Sequence, residues 1–317
     1  MKITILEPLG ISGDRAAEYK SALEAQGHTV TWYPDRSADP AVLLERTGDS
    51  DIVVIANTPY PASVIRAAGN LKLIAVAFTG IDHIALDACR EKGITVCNAA
   101  GYSTPAVAEL AVGLTISCLR KMSPGEAAVR NGGNSRGLIG REIAGKTVGI
   151  VGTGTIGRYA AGLFSAFGAK VLLSSRTKRP ELERDGVKYV SLEELFSESD
   201  IVSVHVASNA ETRRLVSREL IWRMKPTAIL INTARGAVVD NEALAEALRT
   251  GRIGGAGIDV FDTEPPLSKE YCLLNCPNLI PLPHVGFLTE ESMERRAEIV
   301  FETIAAFLKG NPINVCC

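Results

Sequence analysis

The chain has no excess of charge of either sign: 34 Lys and Arg stand against 36 Asp and Glu over 317 residues, a formal net charge of −2. So even a balance gives no bulk attraction to nucleic acid or to an anionic membrane, and neither is expected as a partner. Long hydrophobic runs are lacking too. The most apolar long stretch, residues 105–119, is too short to span a bilayer and carries Glu109. No basic-then-apolar leader opens the chain, since Lys2 leads straight into the strand-like Ile3-Thr4-Ile5-Leu6, and a cytoplasmic protein is expected. The seven cysteines are odd in number and form no disulfide framework. Cys272 and Cys276 have no second Cys or His pair to complete a zinc set, so no metal is expected. Cys89, Cys97 and Cys118 lie among apolar residues as small core side chains, and Cys316 and Cys317 are given no role. There is no internal repeat of about 20–50 residues and no low-complexity segment.

What is present is an ordinary globular composition, 46% apolar and 22% charged, in a chain longer than one core usually supports. Two domains are expected. Short apolar runs at 1–7, 29–33, 51–56, 71–78 and 94–98 alternate with helical or loop segments, which argues for a parallel sheet covered on both faces. Ligands of such sheets bind beyond the carboxyl ends of the strands, here around Asn57 to Tyr60 and Thr79 to Ile81. Thr104-Pro105 reads as the start of an almost wholly apolar helix, with Thr104 as its cap. Residues 123–145 read as a polar, glycine-rich excursion before a second alternating series.

That series opens on the stretch that organises the chain. The apolar run Thr147 to Val151 leads into Gly152-Thr153-Gly154-Thr155-Ile156-Gly157, then an apolar helical segment, then a second strand ending at Ser174-Ser175. Gly152 allows the tight turn, Gly154 lets the backbone approach a pyrophosphate, and Gly157 lets helix and strand pack closely. The first helical N–H groups would then point at the phosphates. A dinucleotide site is the reading that this strand–turn–helix context favours. An acidic residue about 20 positions on would hold the adenosine ribose and repel a 2′-phosphate. Here the second strand ends instead in Ser174-Ser175-Arg176-Thr177-Lys178-Arg179, with no carboxylate before Glu181. Hydroxyls and cations in that place favour NADP, with NAD as the alternative.

Three further residues each follow a predicted strand. Arg235 comes after Ile229-Leu230-Ile231-Asn232-Thr233-Ala234, Glu264 lies in the loop beyond Asp259, and His284 follows Leu282-Pro283. An arginine can fork onto a carboxylate, and an imidazole oriented by a carboxylate can carry a proton. Beside a nicotinamide, these are the groups that reduction of a 2-oxo acid requires. Ser191-Leu192-Glu193-Glu194 is a capping box, and residues 290–309 form a final amphipathic helix expected to return to the first domain.

Five ordered segments resemble those of the D-isomer-specific 2-hydroxyacid dehydrogenase family, of the kind that reduces glyoxylate and hydroxypyruvate. They are Asn98-Ala99-Ala100-Gly101-Tyr102-Ser103 with Val107-Ala108-Glu109, the glycine turn, Asn232-Thr233-Ala234-Arg235-Gly236, Gly257 through Pro265, and Pro283-His284-Val285-Gly286. The resemblance implies an α/β protein of two doubly wound parallel-sheet domains. One is a flavodoxin-like substrate domain (1–102 with 290–317) and the other a Rossmann nucleotide-binding domain (103–289). It implies that Arg235 binds and polarises the substrate, that His284 is the acid/base, and that Glu264 pairs with His284. Asp259 would face the nicotinamide amide, while Thr79, Gly80 and Ile81 would offer N–H groups to the substrate carboxylate. His205, Val206 and Ala207 would line the adenine side. Thr104, Thr212, Thr233 and Ala234 would complete the cofactor contacts.

Tyr60 would either touch the substrate or cap an apolar cluster. Phe287-Leu288 stands where relatives often have small residues. No Lys or Arg occurs between Asp51 and Ile65 to hold a phosphoglycerate. The activity implied is NAD(P)H-dependent reduction of a small 2-oxo acid to a D-2-hydroxy acid by a homodimer, with pairing through residues 123–145. Glyoxylate, hydroxypyruvate, pyruvate and longer acids remain open. Alternatives on the same fold are a cofactor-sensing, co-repressor-like binding protein and a formate dehydrogenase.

Overall fold

A computed structural model describes all residues, Met1–Cys317. The chain divides into two compact units, one formed by Met1–Ser103 with Leu288–Cys317 and the other by Thr104–Phe287. No helix is long and apolar enough to cross a membrane.

In the first unit five parallel strands, β1 (Lys2–Ile5), β2 (Thr29–Trp32), β3 (Ile52–Ile55), β4 (Leu73–Val76) and β5 (Thr95–Asn98), lie in the order β2-β1-β3-β4-β5. This is the flavodoxin-like doubly wound order. Helices α1 (Gly13–Glu24), α2 (Pro40–Thr47), α3 (Ala62–Ala67) and α4 (Leu86–Lys92) connect them. Every residue of β3 and β4 is buried, as continuous apolar strands of a sheet covered on both faces must be. Between the ends of β1 and β3, where the order reverses, the buried carboxylate of Glu7 accepts from the N–H of Ala56 (2.8 Å) and of Thr58 (3.2 Å). The last helix, Glu290–Leu308, is capped by Thr289, whose hydroxyl accepts from Ser292 N–H. It buries Met293, Ala297, Val300 and Ile304 and stacks Phe301 on Tyr19 of α1.

The second unit is built on seven parallel strands, β6 (Thr147–Val151), β7 (Lys170–Ser174), β8 (Val187–Tyr189), β9 (Ile201–Val204), β10 (Ile229–Asn232), β11 (Gly255–Ile258) and β12 (Leu279–Pro281). Their order is β12-β11-β10-β9-β6-β7-β8. Alternate strand residues point to opposite faces and feed two cores. Ile150, Leu173, Ile201 and Ile231 pack with α5 (Thr104–Leu119) and α7 (Thr155–Ala166). Val151, Leu172, Val204 and Leu230 pack with α8 (Leu192–Glu198), α9 (Arg218–Arg223) and α10 (Asn241–Arg249). Half of the capping box forms: Ser191 Oγ accepts from Glu194 N–H at 3.1 Å, while the Glu194 carboxylate turns to Lys188 (3.3 Å).

Two expectations are corrected. The stretch read as a polar excursion over 123–145 begins within helix α6 (Met122–Arg130), whose residues all stay unburied in its own chain and whose glycine and proline mask it in the sequence. Thr104 is the first residue of α5, inside the helix and buried, where the expectation made it the cap. The strand order turns between β6 and β9, and the carboxyl ends there form the crevice in which such sheets take their ligands.

Candidate active site

The glycine turn closes β6 with geometry that only glycine permits at two points. Gly152 has φ +96°, and a Cβ there would lie 2.7 Å from His205 O. At Gly157 a Cβ would lie 1.9 Å from Gly152 O, which explains the closeness of helix to turn. Gly154 differs, because a Cβ there would meet nothing within 4 Å and would project into open space. No side chain caps α7, so the N–H groups of its first turn, at Thr155, Ile156 and Gly157, are left for a ligand. Thr233, past β10, has a buried Oγ1 with no hydrogen-bond partner in the protein. An open backbone cradle, an uncapped helix and an unsatisfied buried hydroxyl together suit a dinucleotide.

The neighbouring groups are fixed by local bonds. Gly152 N–H donates to Ser174 O at 2.8 Å, so the end of β7 lies against the turn. Ser175 follows half-buried, while Arg176 and Thr177 are exposed. Arg176 pairs with Glu211 at 2.5 Å. His205 packs beneath the turn with Nε2 2.9 Å from Ser203 Oγ, and burial pushes its imidazole down to about 4. The ring is therefore neutral at physiological pH. Val206 touches the turn as well, its Cγ1 2.6 Å from where a Gly152 Cβ would be. The Thr212 hydroxyl is committed to its own loop, donating to Ala207 O (2.6 Å) and accepting from Asn209 N–H (2.8 Å).

The three candidate chemical groups come from three adjacent strands. Beyond β10, the buried Asn232 side chain donates to Arg235 O (3.0 Å) and accepts from Ala234 N–H (3.0 Å), shaping the turn that presents Arg235. A Cβ at Gly236 would lie 1.9 Å from Phe261 C, so glycine is needed for this turn to meet the chain leading to Glu264. Beyond β12, His284 takes φ +58°, a left-handed conformation costing a non-glycine residue roughly 1–3 kcal/mol. Three bonds to Asp259, the residue just after β11, offset that cost. His284 N–H donates to Asp259 O, Val285 N–H to Asp259 Oδ1 and Gly286 N–H to Asp259 Oδ2, each at 2.8 Å. Burial raises the Asp259 carboxyl above its ordinary value, against these donors, which favour its charged form.

His284 Nδ1 lies 2.9 Å from both oxygens of Glu264, which fixes the ring and leaves Nε2 on its far side. The imidazole is 11% exposed and the carboxylate 60%. Phe287 packs edge-on against the imidazole, centroids 5.5 Å apart.

In the first unit, Thr79, Gly80 and Ile81 follow the carboxyl end of β4, with Thr79 O accepting from Asn98 Nδ2 at 2.8 Å. Tyr60 takes the second of its two readings. It is 0% exposed and its hydroxyl bonds to Thr47 Oγ1 at 2.7 Å, which makes it a core residue; burial pushes its phenol up to about 12. Asn232 and Gly236 stand in a segment the sequence singles out, but their roles emerge only here, since they carry no charge and act through the turn they shape.

A dinucleotide cradle and a carboxylate-oriented imidazole, with an arginine, on one parallel sheet define an oxidoreductase of the nicotinamide-dependent kind. The model of the D-isomer specific 2-hydroxyacid dehydrogenase NAD binding domain matches residues 112–286. The chain is 38% identical over 289 residues to a glyoxylate reductase of Thermococcus litoralis, covering 88% of this chain and 87% of that protein. It is 40% identical over 256 residues to a hydroxypyruvate reductase of Thermotoga maritima, covering 80% and 83%. The fold matches the solved structure of an acyclic imino acid reductase in complex with NADPH and D-Arg over the whole of both chains, with TM-score 0.90 and 28% identity. The chain belongs to the D-isomer-specific 2-hydroxyacid dehydrogenase family, and it is an NAD(P)-dependent enzyme that interconverts 2-oxo acids and D-2-hydroxy acids.

Proposed function

We propose that this enzyme reduces glyoxylate and hydroxypyruvate, with NADPH as the favoured reductant. The observation that carries the chemistry is that Arg235, Glu264 and His284 follow three neighbouring strands, with His284 Nδ1 shared between both Glu264 oxygens. The glycine turn and the uncapped first turn of α7 would hold a nicotinamide dinucleotide, which would supply the hydride when bound. The Arg235 guanidinium grips and polarises the 2-oxo acid, and His284 Nε2 delivers a proton to the carbonyl oxygen as the carbon is reduced. Glu264 keeps Nδ1 protonated and the ring oriented. The relatives' activities on glyoxylate and hydroxypyruvate support the substrate choice, as does the bulk of Phe287 against His284, which suits a small substituent.

The cofactor choice rests on the end of β7. Ser175, Arg176, Thr177, Lys178 and Arg179 offer hydroxyls and cations where an NAD enzyme presents a carboxylate. Turnover of glyoxylate, hydroxypyruvate, pyruvate and a branched 2-oxo acid with each reduced cofactor tests both parts. The highest kcat/KM is expected for one of the first two acids with NADPH. Dinucleotide binding without turnover of any 2-oxo acid would instead make the chain a cofactor-sensing binding protein, and turnover of formate alone would make it a formate dehydrogenase.

The homodimer proposed here pairs through α6 and the loop that follows it. That helix buries no residue within its own chain, and Val129 and Ile139 are 75% and 89% exposed. Light scattering of the wild type and of a Val129→Glu, Ile139→Glu variant tests this: a dimer and a monomer are expected, and a monomeric wild type contradicts the reading.

A further inference from the structure

Tyr189 takes no part in the reaction above, yet its hydroxyl joins two segments of the cofactor site. It ends β8, and its half-buried ring packs on the core that contains Ile150, Phe164 and Leu173. The hydroxyl donates to Thr153 Oγ1 at 2.9 Å and accepts from Arg179 N–H at 3.2 Å. Thr153 lies within the glycine turn and is 2% exposed. Arg179 closes the run Ser175-Arg176-Thr177-Lys178-Arg179, which carries three cations. The near end of that run is fastened to the same turn by the bond from Gly152 N–H to Ser174 O. The cationic segment is thus held to the glycine turn at both ends, by a ladder bond at one and by a single phenol at the other.

We propose that Tyr189 is a positioning residue for selectivity toward an adenosine 2′-phosphate, setting the distance between the cations of the 175–179 segment and the glycine turn. The inference rests on the NADPH reading and adds the device that would make it work. Long cationic side chains on an untethered loop must give up backbone and rotamer freedom to close on a dianion, and a pre-fastened loop has already given up much of it. Arg176 is paired with Glu211 here, but both side chains are largely exposed, and a pair of that kind yields readily to a phosphate. Phenylalanine at 189 keeps the ring in its packing and removes both hydrogen bonds at the far end.

Wild type, Tyr189→Phe and Arg176→Ala are compared by steady-state kinetics with glyoxylate and each reduced cofactor, and by calorimetric titration with 2′,5′-ADP and 5′-ADP. Tyr189→Phe is expected to lower kcat/KM for NADPH relative to NADH by roughly fivefold to tenfold, the scale of the lost hydrogen bonds. The change should sit in KM, with 2′,5′-ADP binding weakened more than 5′-ADP binding. General loosening of the domain would depress both cofactors alike. A Tyr189→Phe ratio within about twofold of wild type, beside an Arg176→Ala ratio that collapses, overturns the Tyr189 inference and leaves the NADPH reading intact. A wild type that binds the two ADP isomers equally overturns the NADPH reading, and the inference with it.

Discussion

Asp259 and His284 are linked through backbone: the peptide N–H of His284 donates to Asp259 O, and the next two N–H groups divide the Asp259 carboxylate between them. A buried carboxylate at the end of one strand thus holds the left-handed turn that aims the histidine from the next. Each carboxylate oxygen has a second lone pair, so a nicotinamide amide facing Asp259 would add to this arrangement.

Asp259→Asn should therefore impair chemistry more than binding. An amide can accept only one of the two N–H groups and presents a donor to the other. A histidine displaced by about 1 Å costs on the order of 10²-fold in rate. We expect a kcat loss of that order with a cofactor Kd within about threefold of wild type, measured by single-turnover kinetics and titration. A weakened Kd with unchanged kcat would show that the cofactor contact dominates.

Glu264→Gln bears on the same ring from the other side. Reduction requires His284 to carry a proton, and a carboxylate at 2.9 Å stabilises that charge. The kcat for reduction should fall by roughly tenfold or more with cofactor Kd little changed, since the amide neither balances that charge nor holds the ring as the carboxylate does. A wild-type kcat in the Glu264→Gln variant would separate the two residues functionally.

Arg235→Lys keeps a charge and loses the fork. KM should rise and kcat should fall together, by roughly tenfold or more each, since the guanidinium both positions and polarises the substrate. Wild-type kinetics in the lysine variant would mean that a point charge suffices.

His205 predicts a stability profile. Its folded value near 4 lies below the ordinary 6.5, so the unfolded chain takes up the proton first as pH falls. This contribution is complete above about pH 6.5 and declines toward pH 4, amounting to at most ~3 kcal/mol. Tm measured across that range should fall with acid in the wild type and more shallowly in His205→Asn. Parallel curves would contradict the assignment.

Much of this was legible in the sequence because parallel strands buried on both faces are apolar throughout and their ends mark the site. Ile229 to Asn232 pointed to Arg235, and the glycine turn declared its own helix. The N-cap at Ser191 is a local rule that needs no distant partner, whereas the reciprocal bond from Glu194 is lost to Lys188. What escaped depends on contacts between distant segments. Tyr60 was ambiguous until Thr47 was placed beside its hydroxyl. The three-residue strand Val187–Tyr189 is too short for a pattern, and its end residue matters through Thr153, far back in the chain. Helix α6 has no buried face to betray it. The turn at His284 follows from Asp259, and nothing in Pro283-His284-Val285 signals a positive φ.

The central claim is that His284 is the proton donor for reduction of a 2-oxo acid, and His284→Ala tests it most directly. Single-turnover reduction of glyoxylate by the preloaded NADPH complex should slow by roughly 10²–10⁴-fold, with cofactor affinity essentially unchanged. A rate within about twofold of wild type would contradict the account.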